Sequence, residues 1–214
     1  MLIIFDLDDT LIDTSGCVTP GLLAAALQKL MQGKQTAEDG LLLQQINAEA
    51  LRTQDALRTF SQHKQIDKTV CEQVVANLNS LVPTDYEVHC TPHAKEILAY
   101  FAARGPIALV TGGHPPFQLE KLKKAGIQAS LFSKIGIPED SVKKPFYSRF
   151  AAECGVPLQE TWVCGDRIWM DLQPAHELGC KTVHMRWGRG KQMAKEPWVN
   201  HTIGTLPELK DIIR

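Results

Sequence analysis

Long apolar runs are missing from this sequence. The opening Met1-Leu2-Ile3-Ile4-Phe5 is broken at once by Asp6, Asp8 and Asp9. A secretion signal needs a basic start and a longer apolar stretch. No other segment approaches the ~20 apolar residues of a bilayer-crossing helix. Paired cysteines are missing too. The cysteines at 17, 71, 90, 154, 164 and 180 form no Cys-x-x-Cys pair, which speaks against a disulfide framework or a structural zinc site and for free thiols in a reducing compartment. Nor is there an excess of one charge. The 23 Lys and Arg are interspersed with 24 Asp and Glu for a net charge of -1, so no basic footprint for nucleic acid or an anionic membrane surface stands out. These absences lead us to expect a cytoplasmic protein with a small-molecule partner; oligomeric state does not follow.

What is present suits a chain with a real core: 214 residues, 44% hydrophobic and 22% charged. That length fits one large domain, or one domain carrying a smaller insertion. Leu2 to Phe5 reads as a strand buried on both faces, ending in the acidic loop Asp6-Leu7-Asp8-Asp9-Thr10. From about Pro20 to Leu81 the texture becomes helical, with Leu23, Leu27, Leu30, then Leu43, Ile46, Ala50, then Val70, Val74, Leu78 and Leu81 at helical spacing. Three or four helices are expected there. After Pro83 strands and helices alternate. Thr91-Pro92 suggests a helix cap, and strands are expected at Ile107–Val110, Trp162–Cys164 and Thr182–Met185, with a short segment at Thr202-Ile203. Such alternation predicts an α/β fold with a parallel, doubly wound, Rossmann-like sheet.

Ligands of such a sheet gather beyond the carboxyl ends of its strands. There the sequence places Asp6 with Asp8, Thr111, and Asp166 with Asp171. Converging carboxylates repel and need a cation, and all-oxygen ligation with few protein groups favours magnesium (Mg2+) over calcium. Lys144 adds a positive charge. Thr111 adds a hydroxyl, and Gly112 and Gly113 after it offer amides that can approach an anion at a helix start. Carboxylates, a cation, a lysine and a hydroxyl are the parts that phosphoryl transfer requires.

Phe5-Asp6-Leu7-Asp8-Asp9-Thr10-Leu11 resembles the first motif of the haloacid dehalogenase superfamily, Asp-x-Asp-x-Thr after the first strand. Thr111 after Leu109-Val110, Lys144-Pro145, and Gly165-Asp166 with Asp171 resemble the second, third and fourth motifs, in order. The resemblance implies a magnesium-dependent phosphatase acting on a small phosphorylated metabolite. Asp6 would be the nucleophile and Asp8 the acid–base group; Thr111 and Lys144 would hold the phosphoryl oxygens. The metal would be bound by Asp6, the Asp8 main-chain carbonyl and Asp166, with Asp171, Thr10 and Gly112 in support. The family's dehalogenases lack an aspartate at the position of Asp8, so phosphate is implied. It also implies a core of residues 1–15 and 84–214, with 16–83 forming a helical cap that closes over the site. Phe146, Tyr147, Trp169 and Met170 depart from the common pattern without removing a catalytic group.

Several residues carry blander readings. Lys143 reads as a solvated neighbour of Lys144, and Asp9 and Asp13 as loop-bonding groups. His114 is a possible substrate contact, though a loop histidine is more often simply exposed. The basic run Arg186, Arg189, Lys191 and Lys195 reads as a solvated loop. The alternatives to hydrolysis are a phosphotransferase or sugar-phosphate mutase of the same superfamily, and a catalytically silent binding scaffold.

Overall fold

The computed structural model describes residues 1–82 and 85–213. Leu2–Phe5 and Ile107–Val110 are apolar throughout, and they and Thr161–Gly165 are buried at every position. This is the composition of strands covered on both faces. They are β1, β2 and β4 of one parallel sheet that also contains β3 (Lys134–Gly136), β5 (Lys181–Met185) and β6 (His201–Ile203). The strand order is β3-β2-β1-β4-β5-β6. The chain steps outward from β1 to β3, then returns to the other side of β1. The crevice between β1 and β4 is therefore the switch point, where such sheets bind ligands. The sheet is wider than the sequence reading by β3, a three-residue strand whose Lys134 and Ile135 are only half-buried. So short a segment carries no apolar run to detect.

Register decides what meets at that crevice. Phe5 lies beside Leu109 on β2 and beside Cys164 on β4. The residues just beyond these strands, Asp6, Thr111 and Asp166, therefore emerge at one edge of the sheet. Below them Leu2, Ile4, Ala108, Val110, Val163, Tyr147 and Phe150 fill one core cluster.

The helices, in chain order, are α1 (Thr14–Cys17), α2 (Thr19–Leu30), α3 (Ala37–Glu49), α4 (Thr53–His63), α5 (Lys68–Ala76), α6 (Ala94–Ala102), α7 (Pro115–Lys124), α8 (Lys144–Glu153), α9 (Gln173–His176) and α10 (Leu209–Ile212). The chain divides into two compact units, Met1–Ser15 with Val88–Arg214, and Gly16–Glu87. The second unit contains α2 to α5 around Leu23, Ala26, Leu27, Leu43, Leu57, Phe60 and Cys71. Thr36 and Asp39 form a reciprocal capping box at the start of α3. The boundary expected between 83 and 84 lies outside the described residues.

Within the first unit the outgoing and returning chain segments are paired. Ile12 and Cys90 form an antiparallel bridge, and Asp13 N donates to His89 O at 2.8 Å and Thr91 N to Leu11 O at 3.0 Å. Thr91 is not the helix cap that its sequence suggested. The N-cap of α6 is His93, at φ 64, while the Thr91 hydroxyl donates to the Thr10 carbonyl at 2.7 Å. Among the described residues no helix is long and apolar enough to cross a membrane.

Candidate active site

Asp6 leaves β1 with its amide bonded to Cys164 O at 2.9 Å, which fixes it against β4. The chain then turns tightly: the Leu7 carbonyl accepts from the amides of Leu11 at 2.9 Å and Ile12 at 3.0 Å. Asp9 takes the left-handed conformation in this turn, at φ 56, where aspartate is better tolerated than most residues. The Asp9 carboxylate accepts from the amide of Ser15 at 2.8 Å and its hydroxyl at 2.5 Å, so it is a loop brace as expected. The brace through Thr10 runs by its carbonyl, since its buried hydroxyl has no partner among the described residues.

Carboxylate oxygens of Asp6, Asp166 and Asp171 lie within 4.8 Å of one another, all buried. Asp171 sits in a π-helical turn, Ile168–Leu172, and accepts from the Arg167 amide at 2.9 Å. Burial, and then the neighbouring carboxylates against the pull of Lys143, push Asp6 up to about 7. Burial and the charge of Asp171 push Asp166 well above the usual carboxylate range. Three crowded, buried acids form a donor set that a hard divalent cation fits, because it supplies the charge that the cluster lacks.

The lysine in this cluster is Lys143, not Lys144. The Lys143 ammonium is buried, 2.6 Å from Asp6 Oδ1 and 2.5 Å from Asp171 Oδ1. Burial disfavours its charge, but the carboxylates of Asp171 and Asp6 outweigh that and hold its proton more tightly than usual. Lys144 opens α8 on the outward side and pairs with Glu177 at 2.7 Å on the surface. That corrects the assignment of Lys144 to the phosphoryl group.

A second group of contacts surrounds Asp8. Burial alone would raise this acid. The ammonium of Lys121 outweighs it, aided by bonds from Thr14 and Gln118, and holds Asp8 below the usual range. Gln118 Nε2 lies 2.9 Å from Asp8 Oδ2 and 2.9 Å from Thr111 Oγ1. Neither Gln118 nor Lys121 was singled out from the sequence.

The sequence profile of the haloacid dehalogenase-like hydrolases matches residues 1–179. The chain belongs to that family. As a haloacid dehalogenase-like hydrolase it has curated relatives that are phosphatases. A glyceraldehyde 3-phosphate phosphatase of Methanocaldococcus jannaschii is 33% identical over 127 residues, a stretch spanning 58% of this chain and 56% of that protein. A protein of the same name from Pyrococcus furiosus is 26% identical over 99% of this chain and 92% of its own length. Among solved structures, a predicted phosphoglycolate phosphatase from Haemophilus somnus superposes with a TM-score of 0.77 at 20% identity, covering 100% of this chain and 97% of that one. At that identity the likeness concerns the fold.

The remaining site expectations of this haloacid dehalogenase-like hydrolase can be placed. Thr111 is buried, and its amide is held by Gly136 O at 3.1 Å. The Gly113 amide, expected to face an anion, is instead bonded to Pro138 O at 3.0 Å, and the Gly112 carbonyl accepts from Gln118 at 2.6 Å. His114 is exposed at the N-cap of α7. Trp169 is 47% exposed and packs edge-on against Trp198.

The basic run proves to be more than a solvated loop. Gly188 stands at φ +47, and a Cβ on it would come within 2.1 Å of the Asp9 carboxylate. A Cβ on Gly190 would meet Asp166 O at 2.3 Å. This loop therefore packs directly on the backbone that carries the acidic cluster. The signal for it was two glycines flanking Arg189, one residue type that permits such close approach.

Proposed function

We propose that this chain hydrolyses the phosphate monoester of a small metabolite, with a short sugar phosphate as the favoured substrate class. The carrying observation is the buried pair of Asp6 and Lys143, 2.6 Å apart, with Asp8 two residues beyond the nucleophile. The relatives named glyceraldehyde 3-phosphate phosphatase support the substrate class.

A carboxylate oxygen of Asp6 attacks phosphorus, and the bond from phosphorus to the ester oxygen breaks. Asp8, which Lys121 favours as a carboxylate in the free site, takes up a proton from solvent as the anionic ester binds beside it and gives that proton to the departing oxygen, which leaves as the alcohol. A water then attacks phosphorus, Asp8 takes up its proton, and the Asp6–phosphorus bond breaks to release inorganic phosphate. Lys143 and the Thr111 hydroxyl donate to the phosphoryl oxygens and offset their charge. Magnesium would be held by Asp6, Asp166 and the Asp8 carbonyl, and would supply electrophilic neutralisation of the phosphoryl group. Asp171 holds Lys143 in line with Asp6. The helical unit Gly16–Glu87 is in our reading the family's cap, the segment that selects substrate.

Asp6→Asn is expected to abolish phosphate release from every ester and to leave no phosphoenzyme. In Asp8→Asn, para-nitrophenyl phosphate should give a burst of nitrophenol with phosphate retained on Asp6, while alkyl esters nearly stop. Acid–base assistance is worth about a hundred- to ten-thousandfold, which sets the gap between the esters. Acid-quench trapping and mass spectrometry read the intermediate. Turnover by Asp6→Asn at the wild-type rate would refute the assignment.

A further inference from the structure

Helix α7 turns two polar side chains inward at positions where a packed helix carries apolar ones. Gln118 and Lys121 are each 3% exposed, and their spacing of three residues places them on one face. A buried amide and a buried ammonium are costly unless bonded, and apolar residues of similar volume would stabilise the fold at least as well. Their partners indicate a use. The Lys121 ammonium contacts Asp8 Oδ1, which also accepts from the Thr14 hydroxyl. Gln118 Nε2 lies 2.9 Å from Asp8 Oδ2, 2.9 Å from Thr111 Oγ1 and 2.6 Å from Gly112 O.

The donors can be accounted for. An amide nitrogen carries two hydrogens and does not accept. Three oxygens face it here, and turning the amide over would set acceptor against acceptor at two of them. The Gly112 carbonyl and the Asp8 carboxylate can only accept. Whatever Thr111 shares with Nε2 uses its lone pair, so its own hydroxyl hydrogen is left for another acceptor. Gln118 Oε1, at the other end, is buried without a partner among the described residues. The fold thus tolerates an unpaired acceptor to keep the donor end on Asp8 and Thr111. The Asp8 side chain is still 26% exposed, so it stays accessible to an ester and to water.

We infer that Gln118 and Lys121 are positioning residues for phosphoryl transfer: they hold the Asp8 carboxylate in one orientation and leave the Thr111 hydroxyl hydrogen for the phosphoryl group. This rests on the assignment of Asp8 as the acid–base group. Neither residue touches the ester itself. Each acts through Asp8 or Thr111.

The test is the single-turnover rate of ester cleavage, with KM, for an alkyl phosphate and for para-nitrophenyl phosphate, with magnesium present, in Lys121→Met, Gln118→Met, Asp8→Asn and the double variant Asp8→Asn/Lys121→Met. Lys121→Met should lower the cleavage rate for the alkyl ester by about ten- to a hundredfold and for the aryl ester by much less, with KM little changed. In the Asp8→Asn background the same replacement should cost nothing further, because residues that act as a unit are not additive. Gln118→Met should lower the cleavage rate for both esters, through Thr111, and more for the alkyl one, through Asp8. If Asp8→Asn shows the alkyl–aryl gap but Lys121→Met slows both esters equally, or slows Asp8→Asn as much as it slows the wild type, the inference falls and the role of Asp8 stands. If Asp8→Asn shows no gap, both fall.

Discussion

Lys143 and Lys144 are neighbours of one type with opposite surroundings, one among buried carboxylates and one paired with Glu177 at the surface. Identical residues ahead of a proline give a motif reader no means to choose between them. The choice was nonetheless encoded in helix phase. Tyr147, Phe150 and Ala151 are the buried residues of α8, and they stand four, seven and eight positions after 143, the spacing of one helical face. Lys143 shares that face, and Lys144 is turned about 100° away from it. We therefore expect Lys143→Met to lower kcat by about a hundredfold or more, and Lys144→Met to keep near-wild-type kcat. Steady-state phosphate release separates the two variants. The reverse ranking would restore Lys144 to the site. Asp6, Asp8 and Asp166 were legible because strand ends display them whatever the surrounding helices do. Gln118 and Lys121 were not, since polar residues in a helix read as its wet face until packing shows otherwise.

The loops beyond β1, β2, β4 and β5 hold the candidate site, and the last of these reads weakly in sequence. Gly188 and Gly190 look like ordinary loop glycines until their distances to Asp9 and Asp166 are measured. A methyl group at 190 would overlap Asp166 O at 2.3 Å, a backbone atom that cannot rotate away, so one of the two loops must shift. Gly190→Ala is expected to keep the fold, weaken magnesium binding and cost about a hundredfold in kcat, the scale of a displacement near 1 Å at a reacting centre. Metal titration followed by kinetics reads both effects. Unchanged magnesium affinity would show that the loop is a bystander. The strands β1 and β2 were legible to the residue because each is a closed apolar run. β3 was not, because a short, half-buried pairing leaves no pattern.

At the scale of the molecule, the acidic cluster is expected to couple metal binding to stability. Asp6, Asp166 and Asp171 repel one another in the folded core alone, so a cation that binds only the folded state should stabilise it. Free magnesium about a hundredfold above its dissociation constant is expected to add about 2.7 kcal/mol to unfolding. Denaturant titration with and without chelator measures the difference, and Asp166→Asn should lose most of it. An identical midpoint in chelator would count against a metal in this cluster. Fold class followed from alternation of strand and helix, and the chain passes from one unit to the other after Ser15 and back before Val88. That hand-over has a consequence of its own. The bridge between Ile12 and Cys90, with the bonds from Asp13 to His89 and from Thr91 to Leu11, pins both ends of the Gly16–Glu87 excursion to each other inside the first unit. The excursion is thus tethered like a pendant on a closed clasp. Lengthening it costs only the logarithm of its length in chain entropy, and swapping it for another folded module leaves the clasp, and the chemistry beside it, unaltered. If the pendant selects the substrate, as proposed, exchanging it would give such a chain a new substrate while the reaction centre stays as it is.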